Sequence, residues 1–165
     1  MNRSCIAVAD ASRARLHTFE ELAAPRGHRT QELRKEVDLV HPARRIRPSE
    51  LFSDIRPGSD RAPGGRGFGL CERRDASMRQ MDRRFAAAIA AEIERLVAES
   101  GCRTVIVAAS PHMLGLLREL SRPLVRAGVE IHEIDRDLVR LSPSALHDFL
   151  AERDLLPGRE RLAQA

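Results

Sequence analysis

Eleven arginines lie between Arg44 and Arg84, and the chemistry their type and density suggest is contact with a phosphate backbone. Arg44, Arg45, Arg47, Arg56, Arg61, Arg66, Arg73, Arg74, Arg79, Arg83 and Arg84 stand against Glu50, Asp54, Asp60, Glu72, Asp75 and Asp82. That stretch nets +5 (11 minus 6), whereas the whole 165-residue chain nets only +4. A guanidinium is a planar fork of donors that matches phosphate geometry, and each phosphate it neutralises releases counterions, which makes affinity salt-dependent. Arg44, Arg45, Arg47, Arg61, Arg66, Arg73 and Arg74 are therefore candidate RNA-binding residues. Gly64 and Gly65, with Gly67 and Gly69 around Arg66, would let a tip approach a backbone closely. The same composition also describes a solvated charged face and a Gly-rich linker, and the six interleaved acids blunt the field.

Other reactive side chains give less. Asp10, Asp54, Asp135 and Asp137 invite comparison with carboxylate clusters that hold two metal ions, but each falls in a turn, a loop or just past a strand end, where Asp commonly bonds its own backbone. Ser110 and His112 lie where a strand meets a helix N-terminus, a place that favours anions; Ser110 reads as the helix cap and His112 as an exposed first-turn residue. The G-x-S-x-G elbow is absent. His17, His28, His41, His132 and His147 show no ligand spacing, and no phosphate-cradling Gly/Lys/Ser order occurs. Neither a metal nor a cofactor is expected.

Cys5, Cys71 and Cys102 share no short spacing, which points to a reducing cytoplasm rather than a disulfide framework. No apolar run approaches the roughly 20 residues of a membrane span, so no membrane partner is expected. Trp and Tyr are absent, which argues against a base-stacking RNA module. At this length one domain buries roughly 70% of the surface that its unfolded chain exposes.

The elements that position these residues follow from the hydrophobic pattern. Ile6, Val8 and Ala9, the turn Asp10-Ala11-Ser12, and the alternation from Ala14 to Phe19 predict a β-hairpin; residues 29 to 39 suit an exposed third strand. Ser77 with Gln80 reads as a capping box opening a long helix whose inward face is Met78, Met81, Phe85, Ile89, Ile93, Leu96 and Val97, stopped by Gly101. Arg103 to Ala109 is apolar without interruption, as in a central strand buried on both faces. A second helix opens at Ser110-Pro111 with Met113, Leu114, Leu117 and Leu120 inward, is interrupted at Pro123 and stops at Gly128. Strand Val129 to Ile134 follows, and Ser142-Pro143 opens a last helix with Leu146, Phe149 and Leu150 on one face. The order β-β-β-loop-α-β-α-β-α predicts an α/β, ribonuclease H-like mixed sheet of about five strands. It forms a single domain over 1-156 with an Arg/Gly-rich loop at about 40-75 and a frayed tail at 157-165. Residues 44 to 74 are expected to carry little regular structure.

Taken together, AVADASRARL at 7 to 16, HPARRIRPSELFSDIRPG at 41 to 58, FAAAIAAEI at 85 to 93, TVIVAASPHMLGLLREL at 104 to 120 and EIDRDLVRLSP at 133 to 143 resemble the bacterial host attachment protein family, over roughly residues 4 to 150. The positions that carry the resemblance are Asp10, Arg15, Asp54, Pro57, Gly58 and Asp137. That family is similar to the middle domain of archaeal and eukaryotic translation release factors, in which a Gly-Gly-Gln loop promotes peptidyl-tRNA hydrolysis. The resemblance implies a ribosome or tRNA partner for the loop. Here the corresponding run is Gly64-Gly65-Arg66, without the Gln, and Phe68-Gly69 stands where an Arg-His pair is often found. A non-catalytic RNA- or ribosome-contacting module is the expected function. A protein-interaction factor linked to attachment and a release-factor-like hydrolase are the alternatives. The sequence leaves oligomeric state open.

Overall fold

The computed structural model describes residues 3–23, 29–42 and 68–159, the side chains of 23, 29–30 and 68–74 excepted. Three strands come first: β1 (Arg3–Ala9), β2 (Arg13–Ala23) and β3 (Arg29–Val40). A 33-residue helix α1 (Phe68–Ser100) leads to β4 (Thr104–Ala109), then α2 (Pro111–Leu120), a short α3 (Arg122–Arg126), β5 (Glu130–Asp135) and α4 (Pro143–Ala151). The sheet order is β3-β2-β1-β4-β5. β2 runs antiparallel to β1 and β3, and the β1-β4 and β4-β5 pairs are parallel. This mixed five-stranded sheet has the ribonuclease H-like arrangement that the order of elements predicts.

β1 and β4 explain why the sheet needs cover on both faces. Cys5, Ala7 and Ala9 alternate with Ile6 and Val8, and Val105, Val107 and Ala109 with Ile106 and Ala108, and all are buried. One face packs Phe85, Ala86, Ile89 and Ile93 of α1 and Met113, Leu114 and Leu117 of α2. The other packs Leu146 and Leu150 of α4 with Leu138, Val139 and Leu156. β2 joins the sandwich too: Leu16 enters the first layer and Phe19 the second, so both faces of the hairpin's return strand are covered where it pairs with β1.

Local signals worked where they rest on backbone chemistry. Ser110 and Ser142 Oγ accept from the N–H groups of Met113 and Ala145, each with a proline in the first turn. Gly101, at φ +65°, and Gly128, at φ +86°, occupy the left-handed region that ends α1 and α3.

Four expectations need correction. α1 starts at Phe68, not near Ser77, so Ser77 and Gln80 are interior helical residues, and residues 68–74 are helical where little regular structure was expected. Met78 is 43% exposed, because the helix has not yet reached the sheet at that turn, and Leu120 is 37% exposed at the last residue of α2. The tail is held as far as Arg159. His147 Nε2 donates to Pro157 O (2.9 Å), Gln31 Nε2 donates to Gly158 O (3.0 Å), and Arg159 Nε donates to His147 Nδ1 (3.3 Å). Residues 160–165 lie outside the described residues.

Candidate functional site

The parallel strands β1, β4 and β5 end on the same side of the sheet, at Asp10, Ser110 and Asp135. Asp10 Oδ1 accepts from Ser12 N (2.5 Å), Ser12 Oγ (2.7 Å) and Arg13 N (2.8 Å), closing the β1-β2 turn. Partial burial alone would raise its pKa, but the Ser12 and Arg13 hydrogen bonds outweigh burial and hold it below the usual carboxylate range. Asp137 Oδ1 accepts from Val139 N (3.1 Å) and fixes the bend after β5. Arg15 spans the gap between these turns: its Nη1 donates to Val139 O (2.9 Å) and its Nε lies 3.7 Å from Asp38 of β3. Asp10, Arg15 and Asp137 thus converge from distant parts of the sequence.

Two clefts flank that convergence. One, of about 320 Å³, is lined by Asp10, Ser12, Arg13, Arg15, Val139 and Arg140. The other, of about 590 Å³, lies between Asp10, Ser110 and Asp135–Asp137. The second holds three of the four carboxylates considered for metal binding. Among the described residues, however, no group of three His, Cys, Asp or Glu is arranged to hold a metal ion.

The exposed first turns of α1 form an arm, and its later turns pack on the sheet. The 33 residues of the helix span about 50 Å at 1.5 Å per residue, and every residue from 75 to 80 is exposed before burial begins in earnest at Phe85 and Ala86. Asp82, at the base of the arm, binds two histidines. His41 Nε2, just after β3, donates to Asp82 Oδ1 (3.0 Å), and His112 Nε2, in the first turn of α2, donates to Oδ2 (3.1 Å). His41 is 2% exposed and meets Phe85 edge-on, with ring centroids 4.9 Å apart. One carboxylate therefore ties β3, α1 and α2 together where the arm leaves the body.

The family model described as "Protein required for attachment to host cells" matches residues 5–150. The chain belongs to this family. No curated protein matches it. Among solved structures it is similar to one titled "Thermus thermophilus RuvC structure", at 10% identity over 96% of this chain and 84% of that chain, with a TM-score of 0.39.

For this host attachment family member, the structure brings together Asp10, Arg15 and Asp137 and puts Arg73 and Arg74 on the α1 backbone rather than in a loop. Arg44, Arg45, Arg47, Asp54, Pro57, Gly58, Arg61, Gly64, Gly65 and Arg66 lie outside the described residues. The Asp82–His41–His112 group is absent from the sequence-based candidates. Its signal was helical spacing: Asp82 shares a face with Phe85 and Ile89, three and seven residues on, so an acid sits on the core side of the helix. Cys5 is no nucleophile, since burial pushes its thiol far above the usual range. Among the described residues no helix is long and apolar enough to cross a membrane.

Proposed function

We propose that this protein is a non-catalytic RNA-contacting module that presents its Arg/Gly-rich segment to phosphates of the ribosome or of tRNA. The observation that carries the reading is where α1 begins. The sequence puts Gly64-Gly65-Arg66-Gly67 immediately before Phe68, the first residue of a helix whose exposed turns stand off the sheet. A helix N-terminus offers free N–H groups and a positive dipole end to anions, and Arg73, Arg74 and Arg79 lie in the turns that follow. A Gly-Gly run ahead of a long helix also supports the likeness to the release-factor middle domain, whose activity needs a Gln there. Arg66 has donors only and cannot accept a proton from water as a Gln carbonyl does, which supports binding without hydrolysis.

The test is binding to several unrelated RNAs across a salt series. Replacing Arg44, Arg45 and Arg47 together with Ala should weaken binding to all of them and flatten the plot of log K against log salt by about 2 to 3, nearly one per lost phosphate contact. Far-UV circular dichroism should remain unchanged, so that lost binding is not lost fold. Absence of RNA or ribosome association at low salt would refute the reading and favour a protein partner for the same segment.

A further inference from the structure

We propose that the cleft between the β1-β2 turn, the end of β3 and the β5-α4 connection is a phosphate-binding subsite built from Arg13, Arg15 and Arg140. This assignment stands on the described residues and does not depend on the role of the arm.

The first argument is the number of unspent donors. Some arginines outside the cleft are spent on acids: Arg118 grips Glu133 through two guanidinium nitrogens, Arg95 bonds Glu92 and Glu99, and Arg34 bonds Glu32. Arg103, Arg122, Arg126 and Arg136 have no such partner among the described residues, so what sets the cleft apart is that it gathers three guanidiniums around one cavity. The guanidinium of Arg13 makes no hydrogen bond among the described residues and only a loose pair with Asp38 at 3.9 Å. Arg140, exposed on the opposite wall, has neither a hydrogen bond nor an ion pair among them. Arg13 and Arg15 share that one Asp38 carboxylate with Lys35.

The second argument is preorganisation. Arg15 is only 25% exposed, and its hydrogen bond to Val139 O holds its head group in place before any ligand arrives. Less side-chain entropy is then lost on binding. The third is charge. Three guanidiniums line the cleft with one carboxylate, Asp10, which directs Oδ1 at three donors of its own turn, and the neighbouring Asp38 is also matched by Lys35. A net positive cleft of about 320 Å³ accommodates a phosphate with part of an attached sugar, and forked N–H donors suit a tetrahedral oxyanion better than a single point charge does. The phosphate can belong to a free monoester or to a diester in an RNA strand.

The experiment is an NMR titration of the full chain at constant ionic strength, with chloride as the balancing anion. Inorganic phosphate, a nucleoside 5′-monophosphate and a dinucleotide are the three probes. Backbone shifts confined to Ser12, Arg13, Val139 and Arg140 are expected with at least one probe. Response to the first two identifies a monoester site, and response to the dinucleotide alone a strand-backbone site. Arg13→Ala and Arg140→Ala, both at exposed side chains, should each weaken binding about tenfold, the scale of one lost charge-assisted hydrogen bond. Arg140→Lys should recover part of it. The Arg44, Arg45 and Arg47 triple alanine variant should retain the shifts, which separates this site from the Arg/Gly-rich segment. No shift at those residues with any probe, or shifts unaffected by both alanine substitutions, would overturn the assignment.

Discussion

Phe85→Ala tests the packing on which the arm depends. Phe85 is 2% exposed and sits between the sheet and His41, at the first well-buried turn of α1. Truncating a fully enclosed Phe to Ala costs about 3–5 kcal/mol in transfer and cavity terms. The edge-on contact with the His41 ring adds up to about 1 kcal/mol to what is lost. In a chain of this size each kcal/mol shifts the midpoint by about 2–4 °C, so thermal unfolding should move down by roughly 6–24 °C. With no Trp or Tyr to report by fluorescence, the measurement is far-UV circular dichroism in urea and on heating. Met78→Ala is the control: at 43% exposure it should change stability by less than about 0.5 kcal/mol. A loss below about 1 kcal/mol for Phe85→Ala, or a larger loss for Met78→Ala, would refute the assignment of the helix face and of where the arm begins.

Asp82→Ala removes the acceptor of two histidines, one of them buried, and should cost about 1–3 kcal/mol in urea unfolding; a neutral result would mean that the clasp does not hold α1 to β3. His17 is 3% exposed and its pKa is lowered from 6.5 to about 4, chiefly by burial and then by Arg15 and Lys35. The unfolded chain therefore takes up this proton first. Stability contributed by neutral His17 is complete above about pH 6.5 and is lost as pH falls towards 4, by about 3 kcal/mol at about 1.4 kcal/mol per pH unit. His17→Leu should flatten the profile across that window, and identical profiles for the two proteins would contradict the buried neutral state. No peptidyl-tRNA hydrolysis is expected from the wild type, and activity that disappears in Arg66→Ala would replace the non-catalytic reading with an enzymatic one.

What the sequence revealed depended on whether a signal was local. The hairpin, the doubly buried β4, the Ser-Pro helix starts and the glycine stops each rest on a few adjacent residues, and the fold has all of them. The first turns of α1 were invisible because residues 68–80 show no apolar period, in keeping with the exposure of 75–80, and a capping pattern at Ser77 looked like a start. The contact of Asp82 with His41 links positions 41 apart in the chain, beyond any spacing rule. Leu120 satisfied the helical period but fell beyond the edge of the core. Arg15 was marked only by resemblance, and Asp10 and Asp137 by resemblance and as carboxylates; the turns and the crossing hydrogen bond give their grouping a physical cause.

An unbroken helix is also a lever. α1 contains no proline from Phe68 to Ser100. Its far end is pinned where Arg3 Nη1 donates to Ser100 O (2.9 Å), and Asp82 with its two histidines lies part-way along. Arg3 opens β1, the strand that ends beside Asp10. A force on the first turns is thus carried by a stiff rod, past the clasp at Asp82, into turns packed against the sheet from Phe85 onward. A partner that held the first turns of α1 would therefore also fix the direction in which the arginine-lined cleft faces.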